Sequence, residues 1–200
     1  PVSSDYANEY YKSDLKNGLN KRYLKMLDRE NFTYNGSKIL DVGAGPGIYT
    51  EEFAKLGSII FWQDISKSFF EIAYKNLESK NYQLTFINEQ IEVCMKKIKN
   101  IDLIFSRLSF YYAKNDKEFF IDAYDSLNLN GYLLIDCNTY ERFTHRVKLS
   151  EQLQIFLYHN FNIKIGHPLP THKMIYRLAR NNGFQIINNE YDNKTNICIL

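Results

Sequence analysis

The chain switches repeatedly between two hydrophobic periods. Short apolar runs alternate with segments whose apolar residues recur every three or four positions, the signatures of buried strands and amphipathic helices. Residues 4–27 carry a helical pattern through Tyr11, Leu15, Leu19, Tyr23, Met26 and Leu27. "SKILDVG" then reads as a buried strand, "GIYTEEFAKLG" as a helix closed by Gly57, and "SIIFWQD" as a second strand. "ISKSFFEIAYKNLESKN" predicts a helix capped by Ser66 or Ser68 and ending near Asn81. "YQLTFINEQ" and "IDLIFSRLSFYY" hold a third and a fourth strand, with a short helix over 91–98 between them. "KEFFIDAYDSLNLNG" predicts a helix running into Gly131, and "GYLLIDCNT" a fifth strand. Strands alternating with helices in this way imply a parallel α/β sheet covered on both faces.

The rhythm changes toward the C-terminus. A helix is expected over 148–158, followed by a loop. "THKMIYRLARNNGF" predicts another helix, with Thr171 as its N-cap and Gly183 just past its end. "FQIINNEYDNKTNICIL" reads as two strands about a "DNK" turn. They must be antiparallel, because a parallel crossover needs a dozen or more residues. No repeat or linker divides the 200 residues, so one domain is expected.

Composition narrows this picture modestly. Lys plus Arg total 25 against 23 Asp plus Glu, a near balance that disfavours a dedicated nucleic-acid binder. The densest basic cluster, "KKIK" at 96–99, reads as a solvated helix end. Cys94, Cys137 and Cys198 form no C-x-x-C pair and, being three, cannot all pair, which speaks against a disulfide framework or a zinc knuckle. No apolar run has the length of a membrane span, and "PVSSDYANEYYKSDLKNG" is too polar for a signal peptide. A reducing, cytoplasmic setting without a membrane is expected.

The most informative stretch is "ILDVGAGPGIYTEEFAKLG" at 39–57. A strand, a glycine loop and a helix together present free backbone N–H groups to an anionic or dipolar ligand. A nucleoside triphosphate site would need Lys-Ser/Thr after the loop, which is absent. A dinucleotide site would need G-x-G-x-x-G, but this chain has Gly43, Gly45, Gly47 and then Ile48. Asp41 stands two residues before the first glycine, where it would repel a pyrophosphate and attract an amino group or a sulfonium. Asp64 closes the second strand at the distance from which an acid holds ribose hydroxyls.

Together with "IIFWQDIS", these motifs resemble the first two motifs of the class I (Rossmann-like) S-adenosylmethionine-dependent methyltransferases, over roughly 38–138 of the chain. The resemblance implies a three-layer α/β/α sandwich with a seven-stranded, mostly parallel sheet in the order 3-2-1-4-5-7-6, strand 7 antiparallel. It implies S-adenosyl-L-methionine as cofactor. Gly43, Ala44, Gly45 and Gly47 would pass under its methionine part, Asp41 would orient its amino group, Asp64 would hold its ribose, and Ile65 would pack on its adenine. Gln90, with Ile91 beside it, occupies the position where the family often has an acid for the adenine amino group; glutamine also accepts a hydrogen bond. Arg107 and Tyr10 complete the expected cofactor contacts, Tyr10 from an N-terminal helical lid over 1–30.

Methyl transfer is an in-line displacement in which the protein mainly aligns the nucleophile and excludes water. A base is needed only where the nucleophile arrives protonated. His167 and His172, flanking "PLPT", and Tyr11 are the catalytic candidates; no histidine spacing suggests a metal site. Arg107 and Arg142 are candidates for a substrate carboxylate or phosphate, and Tyr111 and Tyr112 for an aromatic wall. The segment 139–170 is expected to shape the acceptor side. "FSRLSFYY" replaces the Asn-Pro-Pro-Tyr signature of amino-group methylation on bases or glutamine. The chain therefore reads as a methyltransferase acting on a small molecule, as a monomer or homodimer. The rivals are an RNA or protein methyltransferase, a non-catalytic cofactor-binding regulatory subunit and, less well matched, a nicotinamide oxidoreductase.

Overall fold

In the computed structural model, which describes residues 2–18, 21–140, 149–161, 163–191 and 195–200, the apolar runs become seven strands of one sheet. These are β1 (Lys38–Val42), β2 (Ile59–Gln63), β3 (Leu84–Ile87), β4 (Ile101–Arg107), β5 (Leu127–Asn138), β6 (Asn188–Tyr191) and β7 (Thr195–Ile199). Their order is β3-β2-β1-β4-β5-β7-β6. The first five pair parallel, and β7 enters antiparallel between β5 and β6. This is the order expected from the sequence. The residues of the expected "DNK" turn lie outside those described.

The helices are α1 (Ser4–Asn17), α2 (Arg22–Arg29), α3 (Ile48–Lys55), α4 (Lys67–Leu77), α5 (Ile91–Lys97), α6 (Asp116–Ser126), α7 (Leu149–Phe161) and α8 (His172–Asn181). Two boundaries differ from the sequence reading. The single helix expected over 4–27 is two helices, because Gly18 caps α1 at φ 72°, in the left-handed region that costs glycine little. The helix expected to reach Gly131 stops at Ser126, whose hydroxyl donates to Met95 O at 2.7 Å. "LNLN" instead starts β5, and Leu127 pairs with Ile101. Pairing with an open strand edge overrides local helical preference here, and Asn130 at φ 64° absorbs the register shift before Leu103 meets Tyr132. Other caps agree with expectation: Ser66 accepts from Phe69 N, and Thr171 from Met174 N.

Strand alternation sorts the core into two layers. Leu40, Val42, Ile104, Leu133 and Ile135 face α5, α6 and α8. Ile39, Leu103, Phe105 and Leu134 face α2 and α3. Continuing the period of two, Asp41, Arg107 and Asp136 fall on the second face at the carboxyl ends of three adjacent strands. Pairing of Asp41 with Phe105, and of Arg107 with Asp136, keeps them close. The sheet thus gathers charge at one end of one face.

A buried ion pair fixes the segment after α7. Lys164 Nζ donates to Asp116 Oδ1 at 2.5 Å and to Ala113 O at 2.6 Å, with side chains 6% and 0% exposed for the pair. The Tyr158 hydroxyl donates to the other Asp116 oxygen. Removing one charge from such a pair strands the other in a poorly solvated site. Lys164→Met is expected to cost about 3 kcal/mol in urea unfolding. Adding Asp116→Asn, which removes the stranded charge and keeps an acceptor for Tyr158, should recover most of that loss.

Candidate functional site

The glycine loop joins β1 to α3 across 43–47. Gly43, Gly45 and Gly47 sit at φ 62°, 55° and 84°, so each holds a backbone that other residues rarely adopt. Their surroundings differ. A Cβ on Gly43 would stand 2.3 Å from Ser109 Cβ, and one on Gly47 would stand 2.9 Å from Leu77 Cδ1. A Cβ on Gly45 would meet nothing within 4 Å. Gly43 therefore serves close packing of the loop on the segment after β4, Gly47 serves packing of α3 on α4, and Gly45 faces open space.

The end of β2 supports the loop. Gly43 N donates to Gln63 Oε1 at 3.0 Å, Ala44 N to Gln63 O at 2.9 Å, and Gly45 N to Asp64 Oδ2 at 2.9 Å. Gly45 O accepts from Trp62 Nε1 at 3.1 Å. The other Asp64 oxygen accepts from Ser66 N at 2.8 Å. Asp64 thus ties the loop to the start of α4; with Ile65 N as a third backbone donor, its carboxylate keeps part of its acceptor capacity for a ligand. Its burial raises its pKa, opposed by these backbone donors.

Asp41 lies beneath the loop with 2% exposure. Thr50 on α3 donates to its Oδ2 at 2.6 Å. Loss of hydration raises its pKa to about 7; the Thr50 hydroxyl opposes the shift, nearby Asp64 adds to it, and Arg107 opposes it. Asp41 is therefore poised to change charge near neutrality.

A cleft opens between this loop and α1. Its floor is Asp41 with Gly43, Ala44, Gly45 and Pro46; its walls are Ile48, Tyr49, Phe105 and Arg107; Tyr10 and Asp14 of α1 cover it. Arg107 lies over the Tyr49 ring at 5.2 Å, in the range of a cation–π contact. Its Nη1 donates to Tyr10 OH and to Asp14 Oδ2, both at 3.4 Å. Below it, the Tyr23 hydroxyl donates to Asp136 Oδ2, and Tyr23, Tyr49 and Phe105 pack edge to face or tilted at 5.3–5.4 Å.

The cleft thus brings together six expected residues: Asp41, Gly43, Ala44, Gly45, Arg107 and Tyr10. The others stand elsewhere. Gly47 packs between helices. Ile65 projects beside Asp64 and is 64% exposed. Gln90 is exposed, and its Oε1, the acceptor an adenine amino group would need, takes the Lys114 ammonium at 2.9 Å. Ile91 packs against the α5–α6 core. Tyr11 lies near Lys80. His167 is exposed and meets the Tyr112 ring at 4.9 Å, while His172 packs on Tyr176 at 5.9 Å. Arg142 lies outside the described residues. Sequence reasoning passed over Asp14, Tyr49 and Phe105. A signal was present for Phe105, whose strand parity places it on the face of Asp41. Asp14 and Tyr49 give none, because only tertiary packing brings them to the cleft. Among the described residues, no cluster of three His, Cys, Asp or Glu forms a metal site.

Comparison with known proteins agrees with this geometry. A family model described as "Methyltransferase domain" matches residues 39–131, which hold the glycine loop and β1–β4. The matched segment, a little under half of the chain, is similar to the methyltransferase domain family. One similar curated member is a ubiquinone biosynthesis O-methyltransferase of Coxiella burnetii, 28% identical over 103 residues, covering 52% of this chain and 44% of the relative. The chain spans less than half the length of that relative. Among solved methyltransferases, a TehB-like SAM-dependent enzyme of Corynebacterium glutamicum superposes with a TM-score of 0.69 at 13% identity, covering 98% of this chain and 96% of that one. The Haemonchus contortus phosphoethanolamine N-methyltransferase 2, solved with phosphomonomethylethanolamine and S-adenosylhomocysteine, gives 0.65 at 20% identity, covering 84% of this chain and 37% of that one. At these identities the structural likeness establishes the methyltransferase fold.

Two measurements check the loop and its acid. Gly43→Ala should lower stability by about 3 kcal/mol, combining overpacking with left-handed strain, whereas Gly45→Ala should lose only about 1 kcal/mol. Comparing the two by denaturant unfolding separates close packing from backbone conformation. The folded-state pKa of Asp41 exceeds its unfolded value, so the folded form holds its proton longer. Its contribution is therefore fully present below pH 4 and is lost as pH rises to about 7. Asp41→Asn should stabilise the free protein relative to wild type at pH 8 and not at pH 4.

Proposed function

We propose that this chain transfers a methyl group from S-adenosylmethionine to a small-molecule acceptor. The observation that carries the reading is a buried carboxylate, Asp41, beneath a glycine loop whose Gly45 faces open space. That combination suits a ligand presenting an ammonium and a sulfonium to the backbone, and it opposes a pyrophosphate. When bound, the cofactor supplies a methyl carbon already activated by positive sulfur. Asp41 in its ionised form orients the amino group. Gly45 leaves room for the methionine part, Asp64 offers its remaining lone pairs to ribose, and the exposed Ile65 offers an apolar surface to adenine. With its acceptor taken by Lys114, Gln90 is a weaker partner for the adenine amino group than Ile65 is for the ring.

The acceptor side is read from the same end of the sheet. The 3-10 turn Phe110–Tyr112 follows β4, and Tyr112 with His167 forms an exposed aromatic and basic edge there. In this reading His167 accepts the proton of a hydroxyl acceptor, while His172 and Tyr11 stand outside the reaction. The name of the Coxiella relative supports a small organic acceptor methylated at oxygen. α1 acts as the lid over the cofactor, and the segment after α7, held by Lys164, shapes the acceptor side. The three cysteines, all buried and free, are compatible with a reducing cytoplasm, and no helix among the described residues is long and apolar enough to cross a membrane. We read the chain as one domain, a monomer or homodimer.

Titration calorimetry with S-adenosylhomocysteine tests the proposal. Micromolar binding is expected; no heat at millimolar ligand, or preferential binding of NAD, overturns it. Because the ligand's ammonium favours ionised Asp41, affinity should rise with pH until about 7 and then level. Asp41→Asn should remove that rise and weaken binding at pH 7.5 by about tenfold, the loss of one charge-assisted hydrogen bond.

A further inference from the structure

We propose that Arg107 is a carboxylate receptor in the cleft and that Asp14 of α1 is its built-in competitor, displaced when a ligand carboxylate arrives. The inference rests on the reading that this cleft takes S-adenosylmethionine, and it adds a second charged contact and an internal rival for it.

The geometry of Arg107 is that of a cation kept available. Its side chain is 25% exposed, at the end of β4, facing the cleft that Asp41 also lines. Guanidinium carries five donors arranged to grip a carboxylate with two parallel bonds. Here only Nη1 is used, and both of its contacts are long at 3.4 Å; among the described residues nothing accepts from Nε or Nη2. A charge-assisted bond at its optimum is 2.7–2.9 Å. Asp14 therefore neutralises Arg107 without saturating it. The guanidinium also lies over the Tyr49 ring at 5.2 Å, which holds its plane.

Asp14 is also cheap to displace. Its side chain is 20% exposed, so its carboxylate can return to water. Among the described side chains of α1, Ala7 alone is fully buried. Other contacts of the helix include Tyr10 against the Phe69 ring at 5.6 Å and, just before the helix, Val2 O accepting from Ser68 Oγ at 2.9 Å. Neither depends on Asp14. Asp41 and Arg107 thus stand as opposite charges lining one cleft, suited to a ligand that carries an ammonium and a carboxylate, or to a donor and an acceptor that carry one each.

The test compares S-adenosylhomocysteine with its decarboxylated analogue, which keeps the amine, by calorimetry on wild type, Arg107→Met, Arg107→Lys and Asp14→Asn. Where the carboxylate comes from the cofactor, Arg107→Met weakens S-adenosylhomocysteine at least tenfold and the analogue less than twofold, and Arg107→Lys falls between. Asp14→Asn tightens S-adenosylhomocysteine about threefold or more and leaves the analogue unchanged. The analogue also reports that each variant is folded. Where the carboxylate comes from the acceptor, both nucleosides bind all variants alike, and benzoate, titrated into free and S-adenosylhomocysteine-loaded protein, is lost in Arg107→Met and tightened in Asp14→Asn. The proposal is overturned if neither carboxylate depends on Arg107, or if Asp14→Asn weakens the carboxylate that does. Failure of wild type to bind either nucleoside would instead defeat the proposed function, and the benzoate titration of the free protein would still decide the role of Arg107.

Discussion

Keeping a carboxylate under the glycine loop, nearly out of water, is the constraint from which the rest of the site follows. A buried charge needs hydrogen bonds or a partner, or it takes up a proton. Asp41 has one strong donor, Thr50, placed by the first turn of α3, and a cation, Arg107, at a distance. Its partial compensation leaves it near the midpoint of its titration in neutral solution. The loop above cannot move to hydrate it, because Gly43 lies against Ser109 and the Ser109 hydroxyl donates to Val42 O at 2.6 Å. The first crossover is clamped to β4 on one side and, through Gln63 and Asp64, to β2 on the other.

That clamping explains why three glycines serve three purposes. Gly43 permits contact with the neighbouring strand's end and Gly47 permits contact with α4; only Gly45 leaves space for another molecule. A glycine-rich loop is easily read as uniformly ligand-facing. In this chain two of its three glycines are about how closely protein packs on protein.

The fold was largely legible from periodicity, because strands buried on both faces are continuous apolar runs and α1, α4, α6 and α8 carry Ser, Asn or Thr caps. What escaped was decided by long-range contact. Leu127 to Asn130 looked helical by continuation from 116–126, and became strand because Ile101 offered an unpaired edge. The break at Gly18 was visible as a glycine yet was outweighed by a helical pattern that persists on both sides. In the cleft, Asp41, the loop, Arg107 and Tyr10 were legible from motif and position. Tyr49 and Asp14 were not, since nothing in their local sequence says that one will underlie a guanidinium and the other will face it. His172 and Tyr11 were chemically suitable side chains whose helices turn them to other neighbours.

The charges of Asp41, Arg107 and Asp136 meet only because β1, β4 and β5 are parallel neighbours in register. The strands come from distant parts of the chain, and pairing them requires closing long loops before any contact repays the entropy. The electrostatic character of the cleft is therefore a late product of folding. A chain emerging in order has the glycine loop and Asp41 long before it has β5, and in that interval Arg107 lacks the strand that Asp136 rides on. Ligand binding would select the completed sheet over every earlier state, so occupancy of the cleft should act as a check that the central strands have assembled in the correct order.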